Sequence, residues 1–239
     1  MTADEFIQAL SKYENKERAS LAKRFFKVGG DTDEFLGATV PKTRLVCKDF
    51  KDLPLSEVQK LLDSPIHDHR LGAVILLVNQ YKTARNDKKK RDDIFDLYVK
   101  NVFSGRVNNW DIVDSSAPYI IGPHEEQANR KLLFKLAKST NLWQRRTGML
   151  SAFWYVRQGD PSTTLKLAEL LLHDSEDLIQ KAVGWQLREV GKKSGHGELM
   201  KFLDKHAATM PRTTLRYAIE HLTPAQRSHY LYLKSTKLP

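Results

Sequence analysis

The chain has 239 residues, 41% of them hydrophobic and 28% charged, enough for one large domain or two small ones around a sizeable core. Its 12 glycines and 9 prolines are too few for a collagen-like or low-complexity chain, and its single cysteine, Cys47, excludes an intramolecular disulfide and points to a reducing, cytoplasmic setting. The net charge of +10 favours an anionic partner (nucleic acid, an acidic protein or an anionic membrane), with a merely basic soluble protein as the plain alternative.

In chain order, the N-terminus has no basic region followed by an apolar run, so no signal peptide is expected. Helical periodicity begins at Glu5–Leu10 and resumes at Leu21–Phe26, with Gly29-Gly30 ending the second helix. Residues 35–41 read as a loop, and Pro41 opens a helix through Arg44, Leu45 and Val46. Cys47 has no activating neighbour and reads as a structural thiol. Pro54 starts a helix to Leu62, and Ser64-Pro65 a long one through Tyr81. That helix holds the longest apolar run, Ala73–Val78, far short of the ~20 residues a bilayer requires. Lys88-Lys89-Lys90-Arg91 reads either as a solvated helix start or as a phosphate-attracting run. Further helices follow in pairs. Phe153-Trp154-Tyr155-Val156 sits inside a 3.6-residue pattern, and Gly195-His196-Gly197 reads as a turn. The predicted class is all-α, and the chain 1–239 is expected to form a single domain.

Four segments, at Arg70, Arg146, Lys181 and Arg216, share a pattern, a basic residue followed by small and apolar ones early in a helix, and Asn109 is placed in the gap between the first two. The anchors are then Arg70, Asn109, Arg146, Lys181 and Arg216, separated by 39, 37, 35 and 35 residues. Such a period, with two helices per unit, predicts an α-solenoid of HEAT or armadillo-like repeats. Its second helices would line a concave basic groove carrying one cation per unit, except where Asn109 interrupts the stripe. Chance placement of common basic residues is the competing explanation.

Counted from its anchor, Trp110 stands at +1, Asp114 at +5 and Trp185 at +4. At ~100° per residue these offsets share an arc of about 140° with the anchors. The groove would then combine cations suited to phosphates, aromatic faces suited to bases or a cationic group, and one carboxylate. A carboxylate repels phosphate. It suits positive charge that exists or develops on a ligand, such as the oxocarbenium-like state of a deoxyribose losing its base. Two plainer readings stay open: Asp114 could pair with Arg146, and the tryptophans could be core. Asp111, at +2, falls about 60° outside the arc and reads as structural. The eight histidines lack ligand spacing and Gly29-Gly30 lacks a following Lys-Ser/Thr, so neither a metal nor a phosphate loop, and no cofactor, is expected.

The segments 109–115, 142–146 and 179–189 resemble, in order, the DNA alkylation repair enzymes of the AlkD type, and 24–29 and 35–41 resemble that family's N-terminal segment. The resemblance implies a HEAT-like fold and a monofunctional DNA glycosylase, a monomer acting on double-stranded DNA that carries cationic alkylated purines such as 3-methyladenine and 7-methylguanine. It makes Asp114 the catalytic carboxylate, places Trp110, Trp185 and Phe25 against the lesion-bearing nucleotide, and puts Arg146 on the DNA backbone. Lys181, Arg70 and Arg216 join Arg146 as stripe cations. Phe25 stands where the family can have tyrosine. The resemblance further implies excision without extrusion of the base into a closed pocket. No lysine adjoins Asp114 in sequence, so no Schiff-base lyase step is expected. A non-catalytic helical-repeat module binding DNA or an acidic protein is the alternative, and an inactive paralogue recognising DNA junctions a third reading.

Overall fold

The structure is a computed structural model that describes residues 1–26, 33–125 and 129–233. Gly29-Gly30, expected to end the second helix, lies outside the described residues. Among these the chain is all-helical, apart from one isolated parallel bridge between Glu34 and Ile66. They cluster into two compact units, Met1–Ile121 and Gly122–Pro239.

In the first unit, α1 (Ala3–Ser11) starts on a Thr2–Glu5 capping box and α2 (Lys16–Phe25) on the Asn15 side chain. Then come α3 (Val40–Asp49), α4 (Leu55–Leu62), α5 (His67–Thr83) and α6 (Lys88–Phe103), with α7 (Trp110–Glu125) beginning in this unit. The apolar run Ala73–Val78 has a local explanation. α5 is buried nearly all round, with α3, α4 and α6 packed against it, so it carries no solvent face along that run. Gly72 admits the Phe6 ring from α1; a Cβ there would lie 2.6 Å from it. Cys47 is fully buried against the Gly72 carbonyl, and burial pushes its thiol up to about 12, as befits a structural cysteine. The Lys88–Arg91 run is a capped helix start: Asp87 accepts from the Lys90 N–H, and Lys88 and Lys89 pair one turn along with Asp92 and Asp93.

The second unit holds α8 (Lys131–Ala137), α9 (Leu142–Ser151), the short α10 (Phe153–Arg157), α11 (Ser162–Leu170), α12 (Asp177–Lys193), α13 (His196–His206), α14 (Arg212–Ala218) and α15 (Pro224–Tyr232). Its central member is α12. Ile179, Ala182, Val183, Leu187 and Val190 form its buried stripe, and α9, α10, α11, α13 and α14 pack against it. Gly195-His196-Gly197 is tighter than a free turn: Gly195, at φ 138°, is the cap and His196 already begins α13.

The repeat is borne out as helix pairing. Arg70, Arg146, Lys181 and Arg216 all stand in the first turns of the second helix of a pair, namely α5, α9, α12 and α14, and Asn109 stands immediately before α7. Part of the shared pattern is a packing signature. A Cβ on Gly148 would lie 2.6 Å from the Leu133 carbonyl oxygen, and one on Gly184 2.5 Å from that of Thr214. After Arg146 and Lys181, then, the small residue is where neighbouring helices touch closely enough to meet backbone.

Candidate functional site

The start of α7 is set by an unusual cap. Asn109 is fully buried with φ 81°, a left-handed conformation that asparagine tolerates better than most residues. Its Oδ1 accepts the Trp110 N–H at 3.0 Å and its carbonyl accepts the Val113 N–H at 3.2 Å. The missing cation of the stripe is thus a backbone requirement: this position turns the chain into the helix. Trp110, the first helical residue, is half-buried. Its ring stacks on Phe26 (centroids 5.4 Å, 15° between planes) and meets Phe25 edge-on at 6.1 Å. Phe26 in turn stacks on Phe35 at 5.4 Å.

Asp114 lies one turn along α7 from Trp110 on the same face and is half-buried. Its charge adds to burial in pushing up the phenol of Tyr98, whose hydroxyl pairs with Ser116 Oγ at 2.7 Å. Pro118, four residues on, has no N–H to offer the Asp114 carbonyl, so the regular helix ladder is broken at that carbonyl. Asp111 points elsewhere: Oδ2 accepts from His67 Nε2 at 2.9 Å and Oδ1 from the Ile112 N–H at 2.8 Å.

Across from α7, His67 is 3% exposed and its Nδ1 lies 3.4 Å from Asp33 Oδ2. Asp33 Oδ1 is 2.6 Å from Arg70 Nη2, an ion pair off the angle for a linear hydrogen bond, while Arg70 Nη1 donates to the Ser64 carbonyl at 2.8 Å. Burial lowers the pKa of His67, but the hydrogen bonds to Asp111 and Asp33 outweigh it and raise it to about 9. Burial raises that of Asp33, and His67 and Arg70 together still hold it below the usual range.

Flanking this cluster, α2 buries none of its residues. Lys16, Arg18, Lys23 and Arg24 are exposed, as are Leu21 (56%) and Phe25 (73%), and Arg18, Leu21, Arg24, Phe25 and Phe26 border an open cleft of about 750 Å³.

In the second unit, Arg146 is 5% exposed and donates to the Leu178 carbonyl at 2.5 Å. Lys181 pairs with Asp177 at 2.7 Å with 41% of its side chain exposed, and Arg216 is exposed. Trp185 is half-buried with Phe153 tilted against it at 5.7 Å. The expected row of solvent-facing cations is therefore corrected. Arg70 and Arg146 are turned inward, because the close helix contacts at Gly72 and Gly148 bury the first turns that carry them; Lys181 and Arg216 keep solvent. Among the described residues, no group of three His, Cys, Asp or Glu side chains is placed to hold a metal ion, and no helix is long and apolar enough to cross a membrane.

The model of a protein family described as DNA alkylation repair enzyme matches residues 6–222. The chain belongs to that family. This family member accordingly has a role in alkylation repair, with DNA as its substrate. Among solved structures it is similar to a chain titled as a predicted DNA alkylation repair enzyme from Enterococcus faecalis, with a TM-score of 0.66 and 16% identity over 88% of this chain and 97% of that one. At that identity the likeness speaks for the fold. The comparison with curated proteins gives no match.

Three features of this repair-family site escaped the sequence reading. Phe26, rather than its neighbour Phe25, provides the face on which Trp110 stacks; the Phe-Phe pair gave no sign of which ring turns inward. His67 was passed over because its spacing to His69 suits no metal, yet its partners lie 34 and 44 residues away. The periodicity over Leu21–Phe26 predicts a helix there but gives no sign that α2 buries none of its residues.

Proposed function

We propose that this family member is a monofunctional DNA glycosylase that releases cationic alkylated purines, 3-methyladenine and 7-methylguanine among them, from double-stranded DNA. The observation that carries the reading is the surface of α7. A half-buried carboxylate, Asp114, stands one turn (about 6 Å of rise) from an indole held in an aromatic stack.

One carboxylate suffices for this chemistry. The substrate base is already positively charged, so the bond between it and C1′ breaks with its electron pair going to the base, which leaves neutral. No general acid is needed, in contrast to the acid–carboxylate pair of a glycosidase. Positive charge builds on the sugar, where Asp114 stabilises it. Water then adds to C1′ and gives its proton to the carboxylate. In the first unit Trp110 packs against the sugar and the cationic base, with Phe25 on the same nucleotide; in the second unit Trp185 is an aromatic face for DNA. Exposed Lys181 and Arg216, with the cations of α2, supply phosphate contacts. Arg146 and Arg70, largely withdrawn from solvent, act mainly by shaping the surface that presents them.

The test is release of free base from methylated duplex DNA by the wild type and by Asp114→Asn in parallel. The reading expects release by the wild type, and in the variant retained DNA binding with release lost. Binding without release by the wild type points instead to a non-catalytic DNA-binding repeat protein, and equal release by both proteins removes Asp114 from the mechanism.

A further inference from the structure

The cluster beside the proposed site contains a group that the glycosylase chemistry leaves unused. His67 is buried, and each of its ring nitrogens faces a carboxylate from a different segment: Nδ1 faces Asp33, ahead of α3, at 3.4 Å and Nε2 faces Asp111, in the first turn of α7, at 2.9 Å. A neutral imidazole has one N–H, so with acceptors on both sides one carboxylate would meet a lone pair. Only the imidazolium can donate to both. The surroundings favour that cation. Phe26 and Phe35 lie against the ring, each at a centroid distance of 5.0 Å. Among the described residues the like charge acting on the ring is Arg70, on His67's own helix, and it is held by the other oxygen of Asp33. The His67 backbone N–H donates to the Glu34 carbonyl at 2.8 Å, and Asp68 accepts the Leu36 and Ala38 backbone N–H groups at 2.8 and 2.9 Å, so the start of α5 is fastened to residues 34–38.

The far end of this arrangement is the proposed site. Asp111 adjoins Trp110 and stands three residues before Asp114. The Phe26 ring that flanks His67 is the one on which Trp110 stacks. We infer that His67, as an imidazolium bridging Asp33 and Asp111, is a positioning residue that locks the first turn of α7 and so holds Trp110 and Asp114 in register for base excision. Its catalytic part rests on the glycosylase reading; the clamp itself does not. Loss of the proton leaves a carboxylate facing a lone pair across the ring, and the clamp opens. Asp114 alone gives the reaction only an acid limb, as its carboxylate becomes protonated. His67 adds an alkaline limb near pH 9, with rising pH deprotonating the ring.

Two measurements on the full chain test this. The first needs no activity. NMR of histidine-labelled protein, with His67 assigned by its absence in His67→Gln, should show a doubly protonated ring at pH 7 that titrates near 9 in wild type and lower in Asp111→Asn. The pH-dependent emission of Trp110, taken as wild type minus Trp110→Phe, should follow the same midpoint. A singly protonated His67 at neutral pH, or one titrating near 6.5, overturns the clamp. The second is single-turnover base release from pH 6 to 10. The alkaline limb should match the His67 midpoint and move down in Asp111→Asn. His67→Gln should release base roughly ten- to a hundredfold more slowly, with DNA affinity unchanged and no alkaline limb. Wild-type release that is flat to pH 10 overturns the positioning role. Should His67→Gln not fold, Asp111→Asn, which keeps an oxygen acceptor in place, decides both measurements. A wild type that releases no base removes the glycosylase reading and leaves the NMR and emission results to decide the clamp.

Discussion

The helix starts of the two units solve the same problem in opposite ways. In the first unit, the beginnings of α5 and α7 are joined by buried charge: Arg70, Asp33, His67 and Asp111 form one chain of contacts, overlaid by Phe26, Phe35 and Trp110. In the second, the start of α12 carries no buried chain of charges: Lys181 pairs with Asp177 at the surface, the buried Arg146 donates to the neutral Leu178 carbonyl, and α14 packs closely against Gly184. The repeat therefore dictates where a helix begins, not how its polar groups are used. Buried networks resist loss of a member strongly, because what remains is an uncompensated charge, whereas exposed pairs are screened and cheap to lose.

That contrast can be broken most directly at Arg70. Arg70→Ala removes a buried partner of Asp33 and is expected to destabilise the chain by about 3–5 kcal/mol in urea unfolding. A change below about 1 kcal/mol would mean that the network contributes little. Next in size is Asp114→Asn, expected to slow base release about 100- to 1000-fold in single-turnover kinetics while leaving stability nearly unchanged. A large drop in melting temperature would recast Asp114 as a structural acid. Gly184→Ala forces a Cβ to within 2.5 Å of a backbone oxygen and should cost about 1–3 kcal/mol. Gly197→Ala, inside α13 with nothing within 4 Å of the new atom, should instead stabilise by up to about 1 kcal/mol.

Stability should also depend on pH through His67. Its folded-state pKa, near 9, lies above the ordinary value of 6.5, so between those values the folded chain holds more protons than the unfolded one. The stabilisation is complete below about pH 6.5 and is lost as pH rises through 9. Denaturant midpoints across that range should fall in the wild type and fall less in His67→Gln. The smallest effect belongs to Lys181→Ala, below about 1 kcal/mol in stability, with a modest loss of DNA affinity that fades at high salt.

The helical class, the pairing of helices and their spacing were legible because they follow from local periodicity and from small residues recurring at helix contacts. Trp110 and Asp114 were legible as a pair for the same reason, since four positions along a helix mean one face. The rotation of each first turn was not. The pattern that marks Arg70 and Arg146 as members of a row is the one that packs them inward, and side-chain burial depends on the neighbouring helix.

By itself, then, the sequence determined what hydrogen bonding within a helix and the 3.6-residue repeat determine: an all-helical repeat chain with an indole and a carboxylate on one face of α7. Only the tertiary structure decided that Asn109 is a left-handed cap, that Phe26 is the stacking partner of Trp110, and that His67 is gripped between two carboxylates. Those contacts join residues far apart in the chain, and no local periodicity records which segments folding will bring together.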